Sequence, residues 1–326
     1  MSSGKMQENN AQGSRDNFLS PGFNRFGGRG VLVMVCISIA YLLISRVLIG
    51  YRPEQLVLVL LANCLYFSTE TTRKWVTGFS VFIIFWVLFD YMKAFPNYNW
   101  NTVHIESLYN TEKLLFGITE NGIRLTPNEY FLNHTSTFPD VASGLFYLTW
   151  VPVPLGFATY LFFTRRKEFV YFSLTFLFVN LLGFVVYYAY PAAPPWYVAL
   201  HGFEFIQGTP GNTAGLIRFD NYFGVSIFQG IYSKSSNVFA AMPSLHSSYP
   251  LIVFYYGLRN RLGLVNVLFA FLMFGIWFAA IYSSHHYLMD VLAGISCAII
   301  GIAGFIQLAK HGKTAKLVAG FVDAVK

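Results

Sequence analysis

The sequence predicts an all-α polytopic membrane protein with about eight transmembrane helices. Hydrophobic residues make up 55% of its 326 residues and charged residues only 11%, whereas a soluble domain carries about 25% charged residues. The mean hydropathy is +0.49. Most of the apolar runs approach the roughly 20 residues that a helix needs to cross a bilayer. Many Tyr and Trp residues lie near the ends of these runs, which is typical of anchors at a membrane interface.

Eight apolar runs follow a polar N-terminal segment, and each run predicts one span. The runs lie at residues 31–49, 54–69, 75–92, 141–163, 169–190, 244–258, 262–282 and 287–309. The first begins too late and is too long for a typical cleaved signal peptide, so it indicates a membrane anchor. The second and sixth runs are short, and Pro250 in the sixth predicts a kink.

These runs divide the chain into three predicted regions. Residues 1–29 are polar and rich in Gly, Ser and Asn, which predicts a disordered cytoplasmic tail. Residues 30–309 form the predicted polytopic membrane domain, and residues 310–326 form a second cytoplasmic tail. The three cysteines lie in apolar runs, so we expect packing roles rather than a disulfide framework; they are Cys36, Cys64 and Cys297.

Lys and Arg residues set the predicted orientation. Eight spans place most of the 22 basic residues, including the three tightest clusters, on one side of the membrane, which is then cytoplasmic. The seven exceptions are Arg46, Arg52, Lys93, Lys113, Arg124, Arg218 and Lys234. Both termini are therefore predicted to be cytoplasmic. The net charge of +7 reflects this sorting, and no nucleic-acid partner is expected because the chain has no basic stripe.

Two short polar stretches near the C-terminus carry the predicted site. They are Met242–Ser247 (MPSLHS) and Ser283–Asp290 (SSHHYLMD), and an apolar hairpin between them turns at Arg259–Arg261. A chain that enters a membrane and comes straight back returns to the side that it left. His246 and His286 are therefore predicted to meet on the side opposite the cytoplasm.

The residue types in these stretches suit phosphoryl-group transfer. His286 and Asp290 are four residues apart, which on a helix puts both side chains on one face. A carboxylate bonded to one imidazole nitrogen leaves the other nitrogen as a nucleophile. His246 is predicted to begin the helix after Pro243, where backbone N–H groups and the Ser244 hydroxyl would form an anion cradle.

Other interpretations of the same residues stay open at this point. A His four residues before an Asp occurs by chance, and such groups at a membrane interface are often merely solvated. The prediction that both histidine stretches lie on the same side of the membrane favours function, because ionisable groups between membrane helices are functional candidates. Adjacent His285 would point elsewhere on a helix and is given no role. A metal site is the competing chemistry, but no further ligand appears at metal-like spacing, so no metal is predicted.

Two motifs resemble those of the type 2 phosphatidic acid phosphatase superfamily. Pro243–His246 is similar to its second signature motif, and His286-x-x-x-Asp290 is similar to its third. The resemblance implies a six-helix catalytic bundle over about residues 141–309. It also implies that His286 is the nucleophile, that Asp290 orients it, and that His246 protonates the leaving group. No cofactor is implied.

Where the motifs depart from the phosphatase pattern, they resemble those of the inositol phosphorylceramide synthase branch of that superfamily. Leu245 stands where the phosphatases usually have Gly, and Ala279–Ala280 replaces their Ser-Arg. Their first motif is missing where the fifth span ends, and Pro194–Tyr197 (PPWY) follows there instead. In that branch Pro-Pro-Trp-Tyr precedes Pro-Ser-Leu-His-Ser, and His-His-Tyr-x-x-Asp replaces the Arg-bearing motif.

Phosphate binding must then fall to groups other than the phosphatase Lys and Arg residues. Arg218 and Lys234 are the only basic residues in the loop 191–243 and are candidate substitutes, although either could be a solvated loop charge. Three residues of the aromatic motif could position the lipid or simply anchor the end of a span; they are Pro195, Trp196 and Tyr197.

The resemblance implies a phosphotransferase that works through a phosphohistidine. It would take phosphoinositol from phosphatidylinositol, the phospholipid donor, and pass it to a ceramide-like lipid acceptor, giving inositol phosphorylceramide and diacylglycerol. The alternative within the superfamily is a lipid phosphatase that hydrolyses phosphatidate or an isoprenoid diphosphate. The catalytic face would be periplasmic in a bacterial inner membrane or Golgi-lumenal in a eukaryote.

An alternative of another class is a non-enzymatic membrane scaffold or transporter. That hypothesis expects charged residues in the middle of spans, lining a path. Asp90 and Arg46 are the few candidates, and both can lie near span ends. The sequence predicts no oligomeric state.

Overall fold

The computed structural model describes residues 27–233 and 237–326. Most of these residues are helical, which confirms the predicted all-α class. The part of the predicted N-terminal tail up to residue 26 lies outside the described residues. The chain divides into two compact units, with the boundary between Val76 and Thr77.

Within residues 27–233 and 237–326, six stretches are long and apolar enough to cross a membrane, so the chain is a polytopic membrane protein. They are Gly28–Leu48, Glu70–Ala94, Thr137–Thr164, Arg166–Ala189, Val265–Tyr282 and Leu288–Leu308. Each coincides with a predicted apolar run. The two remaining runs, which were short in sequence, form helices of 16 and 15 residues, Pro53–Ser68 and Leu245–Arg259.

The first unit is built from α1, α2 and the beginning of α3. These helices are Gly28–Leu48, Pro53–Ser68 and Glu70–Tyr91. The amide of Asn63 on α2 donates a hydrogen bond to the Ser38 hydroxyl of α1 at 2.9 Å. Large apolar side chains of α1 are exposed, among them Val47 at 83%. Such a surface suits hydrocarbon and would be unfavourable in water.

The second unit contains the helical bundle. Its membrane helices are α6 (Thr137–Leu148), α7 (Pro152–Thr164), α8 (Arg166–Ala189), α12 (Leu245–Arg259), α13 (Val265–Tyr282) and α14 (Leu288–Leu308). The predicted span 141–163 is not one continuous helix, because it breaks between α6 and α7. Pro152, which lacks a backbone N–H, stands at the first position of α7, where no donor is needed.

Aromatic side chains fill the centre of this bundle. The rings of Phe85 and Phe176 meet edge to face with centroids 5.5 Å apart, and the Tyr249 ring lies 4.5 Å from that of Phe176. A buried polar pair lies within this packing. The Tyr249 hydroxyl donates to the Asn180 side-chain oxygen at 2.6 Å.

The predicted hairpin is present. Helix α12 ends at Arg259 and α13 begins at Val265, so the turn is longer than the predicted basic tripeptide. Arg261 and Gly263 within it have φ angles of 55° and 59°. The Arg165 guanidinium donates to the Asn260 carbonyl at 2.7 Å and fixes the turn to the start of α8.

The long polar segments between spans fold into short elements rather than open loops. They contain α4 (Glu106–Phe116), β1 (Ile118–Glu120), β2 (Ile123–Leu125), α5 (Pro127–Asn133), α9 (Pro195–His201), α10 (Ile217–Phe223) and α11 (Ile227–Tyr232). A parallel bridge between His104 and Ala192 joins the two segments, and a second bridge pairs Ala192 with Ala240 within the later segment. The segments therefore form one extramembrane layer at the end of the bundle where α13 ends and α14 begins.

The C-terminal segment, predicted only as a tail, forms the helix α15 (Gly312–Val325). Its apolar face is buried at Val318, Val322 and Val325. The Arg166 guanidinium donates to the Val325 carbonyl and ties the end of α15 to the start of α8.

Candidate active site

Helices α12 and α14 approach each other closely at the ends that carry the two polar stretches. A methyl group at Gly294 of α14 would lie 2.1 Å from the backbone oxygen of Ser244, so only glycine allows this approach. The Ser248 hydroxyl of α12 donates to the Gly294 carbonyl at 2.7 Å. The Ser244 N–H donates to the Asp290 carbonyl at 2.9 Å. These contacts set the distance between the side chains of His246, His286 and Asp290.

The structure brings the two predicted histidines together. Nδ1 of His246 lies 3.1 Å from Nε2 of His286, within hydrogen-bond distance. His286 is 6% exposed, whereas His246 is only partly buried and is the more accessible of the pair. Two imidazoles at this separation can act on the same small group.

Asp290 completes the cluster, but not by the predicted helical spacing. Helix α14 begins at Leu288 with Tyr287 as its N-cap, so His286 precedes the helix. The carboxylate of Asp290 accepts the Tyr287 N–H at 2.9 Å, which is typical of an acidic residue in a first helical turn. The same oxygen lies 3.6 Å from Nδ1 of His286, an ion-pair distance longer than a hydrogen bond.

The helix start at the other stretch also differs from the prediction. Ser244, not Pro243, immediately precedes α12, and His246 is its second residue. Pro243 therefore lies outside the helix instead of at its first position. Ser244 is fully buried, and its hydroxyl accepts a hydrogen bond from the Ser247 hydroxyl at 3.2 Å.

Burial sets the charge of His286. It lowers the pKa of this imidazole to about 4, because the charged form loses its hydration. A neutral imidazole has one N–H and one lone pair. With the proton on Nδ1, towards Asp290, the lone pair of Nε2 accepts from the Nδ1–H of His246.

His285 lies in the wall of the site, although it was given no role. Its Nε2 donates to the Thr213 carbonyl at 2.9 Å, and its ring stacks on those of Tyr232 and Tyr147. Burial and the neighbouring His286 lower the pKa of His285 well below its usual value. His285 lies before the helix, so the predicted helical spacing does not apply to it, and its Nε2 binds Thr213.

Aromatic residues of α6 and the following turn flank His246. The Tyr147 ring centroid lies 5.0 Å from that of His246, and the Trp150 ring lies 4.6 Å away, edge to face. The sequence held no signal for them, because an aromatic residue in an apolar run is indistinguishable from core.

Two polar side chains of the extramembrane layer hold the backbone around His286. The Asn128 amide, from α5, donates to the carbonyl oxygens of His286 and Ile281 at 2.9 and 2.8 Å. The Glu112 carboxylate, from α4, accepts the N–H groups of Leu288 and Met289. Neither residue was predicted, since each is distant in sequence from both motifs.

Arg218 lies on α10 beside the C-terminal end of α13. Its Nε donates to the Asp140 carboxylate at 2.5 Å, and its guanidinium lies over the Tyr282 ring. One of the two terminal nitrogens, Nη2, is buried and has no hydrogen-bond acceptor among the residues that the structure describes. The second predicted basic residue, Lys234, lies outside the described residues.

The aromatic motif lies next to the histidine stretch. Pro195 is the first residue of α9, and the Trp196 N–H donates to the Ser284 carbonyl at 3.1 Å. The Tyr197 hydroxyl donates to the Glu204 carbonyl at 2.7 Å and is fully buried. The motif is therefore joined by a backbone hydrogen bond to the loop that carries His285 and His286.

Comparison with known proteins points to one family. A model of the PAP2 superfamily matches residues 122–304. The chain is 48% identical to the phosphoinositol dihydroceramide synthase of Bacteroides thetaiotaomicron over 272 residues, which is 83% of this chain and 89% of that protein.

Fungal proteins match over a smaller share of their length. The inositol phosphorylceramide synthase catalytic subunit of Saccharomyces cerevisiae is 29% identical over 221 residues, 65% of this chain and 52% of that protein. The corresponding subunit of Schizosaccharomyces pombe is 28% identical over 232 residues, 68% of this chain and 51% of that protein. No solved structure matches the chain. The chain belongs to the PAP2 superfamily.

Proposed function

We propose that the protein is a membrane phosphotransferase that moves phosphoinositol from phosphatidylinositol to a ceramide-type lipid. The observation that carries the proposal is the 3.1 Å approach of the His246 and His286 rings, with Asp290 beside the second ring. The names of the bacterial and fungal relatives support this head group and this acceptor class.

His286 is the proposed nucleophile. Its Nε2 lone pair attacks the phosphorus of the donor lipid, and the bond from phosphorus to the diacylglycerol oxygen breaks. His246, protonated at this stage, gives its proton to that oxygen, so diacylglycerol leaves as the alcohol. The phosphohistidine ring now carries a positive charge, which the Asp290 carboxylate stabilises from 3.6 Å.

The second step reverses the proton movement. Neutral His246 removes the proton from the ceramide hydroxyl, and the resulting oxygen attacks the phosphohistidine. The phosphorus–nitrogen bond breaks, and His286 regains its lone pair while His246 is again protonated. The low pKa of His286, about 4 because of burial, keeps its lone pair available at neutral pH. Atoms and charges balance over the cycle without a cofactor.

Arg218 is the proposed phosphate-binding residue. A buried guanidinium N–H group needs an acceptor, and a phosphate oxygen would supply one. Asp140 binds the Nε of the guanidinium and so orients it. The proposal gives Pro195, Trp196 and Tyr197 a supporting role, because Trp196 is bonded to the loop that carries His286. Ser244 and Lys234 remain candidate substrate contacts.

The proposed catalytic face is the non-cytoplasmic one. His246 and His286 lie at one end of the α12–α13 hairpin, and Arg259 and Arg261 lie at the other. The basic end is expected to stay in the cytoplasm. Accessibility of a cysteine introduced at Glu204, an exposed residue in the extramembrane layer, to an impermeant thiol reagent on intact cells tests this orientation.

The activity is tested with purified protein in detergent micelles and phosphatidylinositol labelled in the inositol ring. We expect labelled inositol phosphorylceramide only when ceramide is present, and no product with His286→Ala. Release of inorganic phosphate from phosphatidate without ceramide, together with no transfer from phosphatidylinositol, would instead identify a lipid phosphatase. Absence of turnover with both donor lipids would contradict both functions.

A further inference from the structure

Glu112 is a buried carboxylate at the start of the helix that carries Asp290. Its side chain is fully buried on α4, and its two oxygens accept the backbone N–H groups of Leu288 and Met289 at 2.9 and 3.0 Å. These two N–H groups belong to the first turn of α14 and have no partner within the helix. One carboxylate on α4 therefore accepts two consecutive backbone donors at the start of α14, a role that usually belongs to the N-cap residue of the same helix.

The position of these two bonds matters for the reacting groups. Leu288 and Met289 lie between His286 and Asp290, in the five-residue stretch that sets the distance between imidazole and carboxylate. Asp290 itself caps the Tyr287 N–H, so every free N–H from Tyr287 to Met289 is bound by one of two carboxylates. Movement of this turn would move Asp290 relative to His286.

The charge on Glu112 controls the strength of both bonds. Burial raises the pKa of Glu112 to about 7, and the negative Asp290 nearby adds to this, while the two N–H groups lower it. Ionised, the carboxylate accepts two charge-assisted hydrogen bonds; protonated, one of its oxygens becomes a hydroxyl donor and faces an N–H.

We propose that ionised Glu112 is a positioning residue for phosphotransfer, because it fixes the first turn of α14 and with it the spacing of Asp290 and His286. The inference rests on the proposed function for its activity readout, but not for its structural one. It predicts that turnover falls as pH decreases through about 7, when Glu112 takes up a proton.

Other titratable groups close by have to be distinguished from Glu112. The Tyr287 hydroxyl has Asp290, Glu112, Glu129 of α5 and Tyr109 of α4 around it. Lys113 of α4 bonds to the Tyr109 hydroxyl and lies 3.9 Å from Glu129. A variant of Glu112 alone therefore isolates its contribution.

The test compares pH profiles of kcat for wild type and Glu112→Gln between about pH 5.5 and 8.5. Gln keeps the size of the side chain but presents an amide donor to one N–H group. We expect kcat of the variant at pH 8 to fall about tenfold or more, with KM for phosphatidylinositol little changed. We also expect the decrease near pH 7 to be present in wild type and absent in the variant.

Asp220→Asn is the matched control. Asp220 is also buried, and its two oxygens accept the N–H groups of Phe228 and Gln229 at the start of α11, at 3.2 and 3.0 Å. The chemistry of this cap is the same, but α11 carries no proposed reacting group. We expect Asp220→Asn to retain the decrease near pH 7, and loss of this step in both variants would overturn the proposal.

Hydrogen exchange gives a readout that needs no substrate. In Glu112→Gln the amides of Leu288 and Met289 should exchange about tenfold faster at pH 8, with the rest of α14 unchanged. Unchanged exchange there, or an unchanged pH profile in an active protein, would overturn the role of Glu112. A wild type inactive towards phosphatidylinositol would instead count against the proposed function, and the exchange result would still decide the positioning role.

Discussion

Nδ1 of His246 and Nε2 of His286 lie 3.1 Å apart, although 40 residues separate them in sequence. The α12–α13 hairpin returns the chain to the same end of the bundle, and the Gly294 contact lets α12 and α14 approach closely. The two rings are hydrogen-bonded to each other, so a phosphorus atom that reaches Nε2 of His286 must replace this bond. The 3.6 Å distance from His286 to Asp290 is expected to shorten as positive charge develops on the ring.

The buried His286 should make stability depend on pH. Its pKa is about 4 in the folded protein and about 6.5 in the unfolded chain, so the unfolded chain binds more protons between these values. The stabilising contribution is complete above about pH 6.5 and is lost as pH falls towards 4, by up to roughly 3 kcal/mol. Thermal unfolding in detergent should show a steeper loss for wild type than for His286→Asn over this range. Parallel losses would contradict the low pKa.

Asp290→Asn should separate the two tasks of this residue. Asn keeps an oxygen that can accept the Tyr287 N–H, so the melting temperature should change little. It removes the charge that faces His286, so kcat should fall about a thousandfold with KM nearly unchanged. Steady-state kinetics and thermal unfolding of the same preparation check both effects. A variant that melts much earlier would show that the residue acts mainly through the helix cap.

Gly294→Ala should disrupt the site from its backbone. The added methyl group meets the Ser244 carbonyl oxygen at 2.1 Å, so α12 and α14 must separate, and with them His246 and His286. We expect lower thermal stability and loss of turnover. Gly304→Ala on the same helix is the control, because its methyl group meets only Phe178 at an ordinary 3.4 Å. Equal effects of the two substitutions would show that helix propensity, not this approach, was changed.

Arg218→Gln should weaken donor binding and turnover. It removes the guanidinium proposed for phosphate, and kcat/KM should fall roughly 10- to 100-fold. Because the change also leaves Asp140 without its cation, Arg218→Lys serves as a second variant that keeps the charge but not the fork. Arg259→Gln, which breaks the Glu168 ion pair at the other end of the hairpin, should leave kcat/KM within about twofold. Similar kinetics for Arg218→Gln and wild type would exclude a phosphate contact.

The membrane fold and the meeting of the two histidines could be predicted because both follow from strong local patterns. Long apolar runs give spans, and an apolar hairpin returns the chain to one side. The helix starts could not be predicted well. The spacing of His286 and Asp290 is that of two residues on one helix, but the helix begins only at Leu288, after His286, and Asp290 caps its start. Pro243 was predicted at the first position of α12 and lies outside the helix, because Ser244 occupies the N-cap position.

The supporting residues were beyond sequence reasoning. Asn128 and Glu112 reach the catalytic loop only through pairing of the two extramembrane segments, which has no periodic signature. The break between α6 and α7 has a visible cause in Pro152, but an apolar run of span length concealed it. Tyr147 and Trp150 are aromatic residues among many, and only their contact with His246 distinguishes them.

Trapping the covalent intermediate tests whether His286 is the nucleophile. Wild-type protein is mixed with phosphatidylinositol labelled in the inositol ring, without ceramide, quenched in base to preserve a phosphoramidate, and mapped by peptide mass spectrometry. We expect label on His286 that is lost, with formation of labelled product, when ceramide is added, and no label in His286→Ala. Label on another residue, or transfer to ceramide by His286→Ala, would contradict this role.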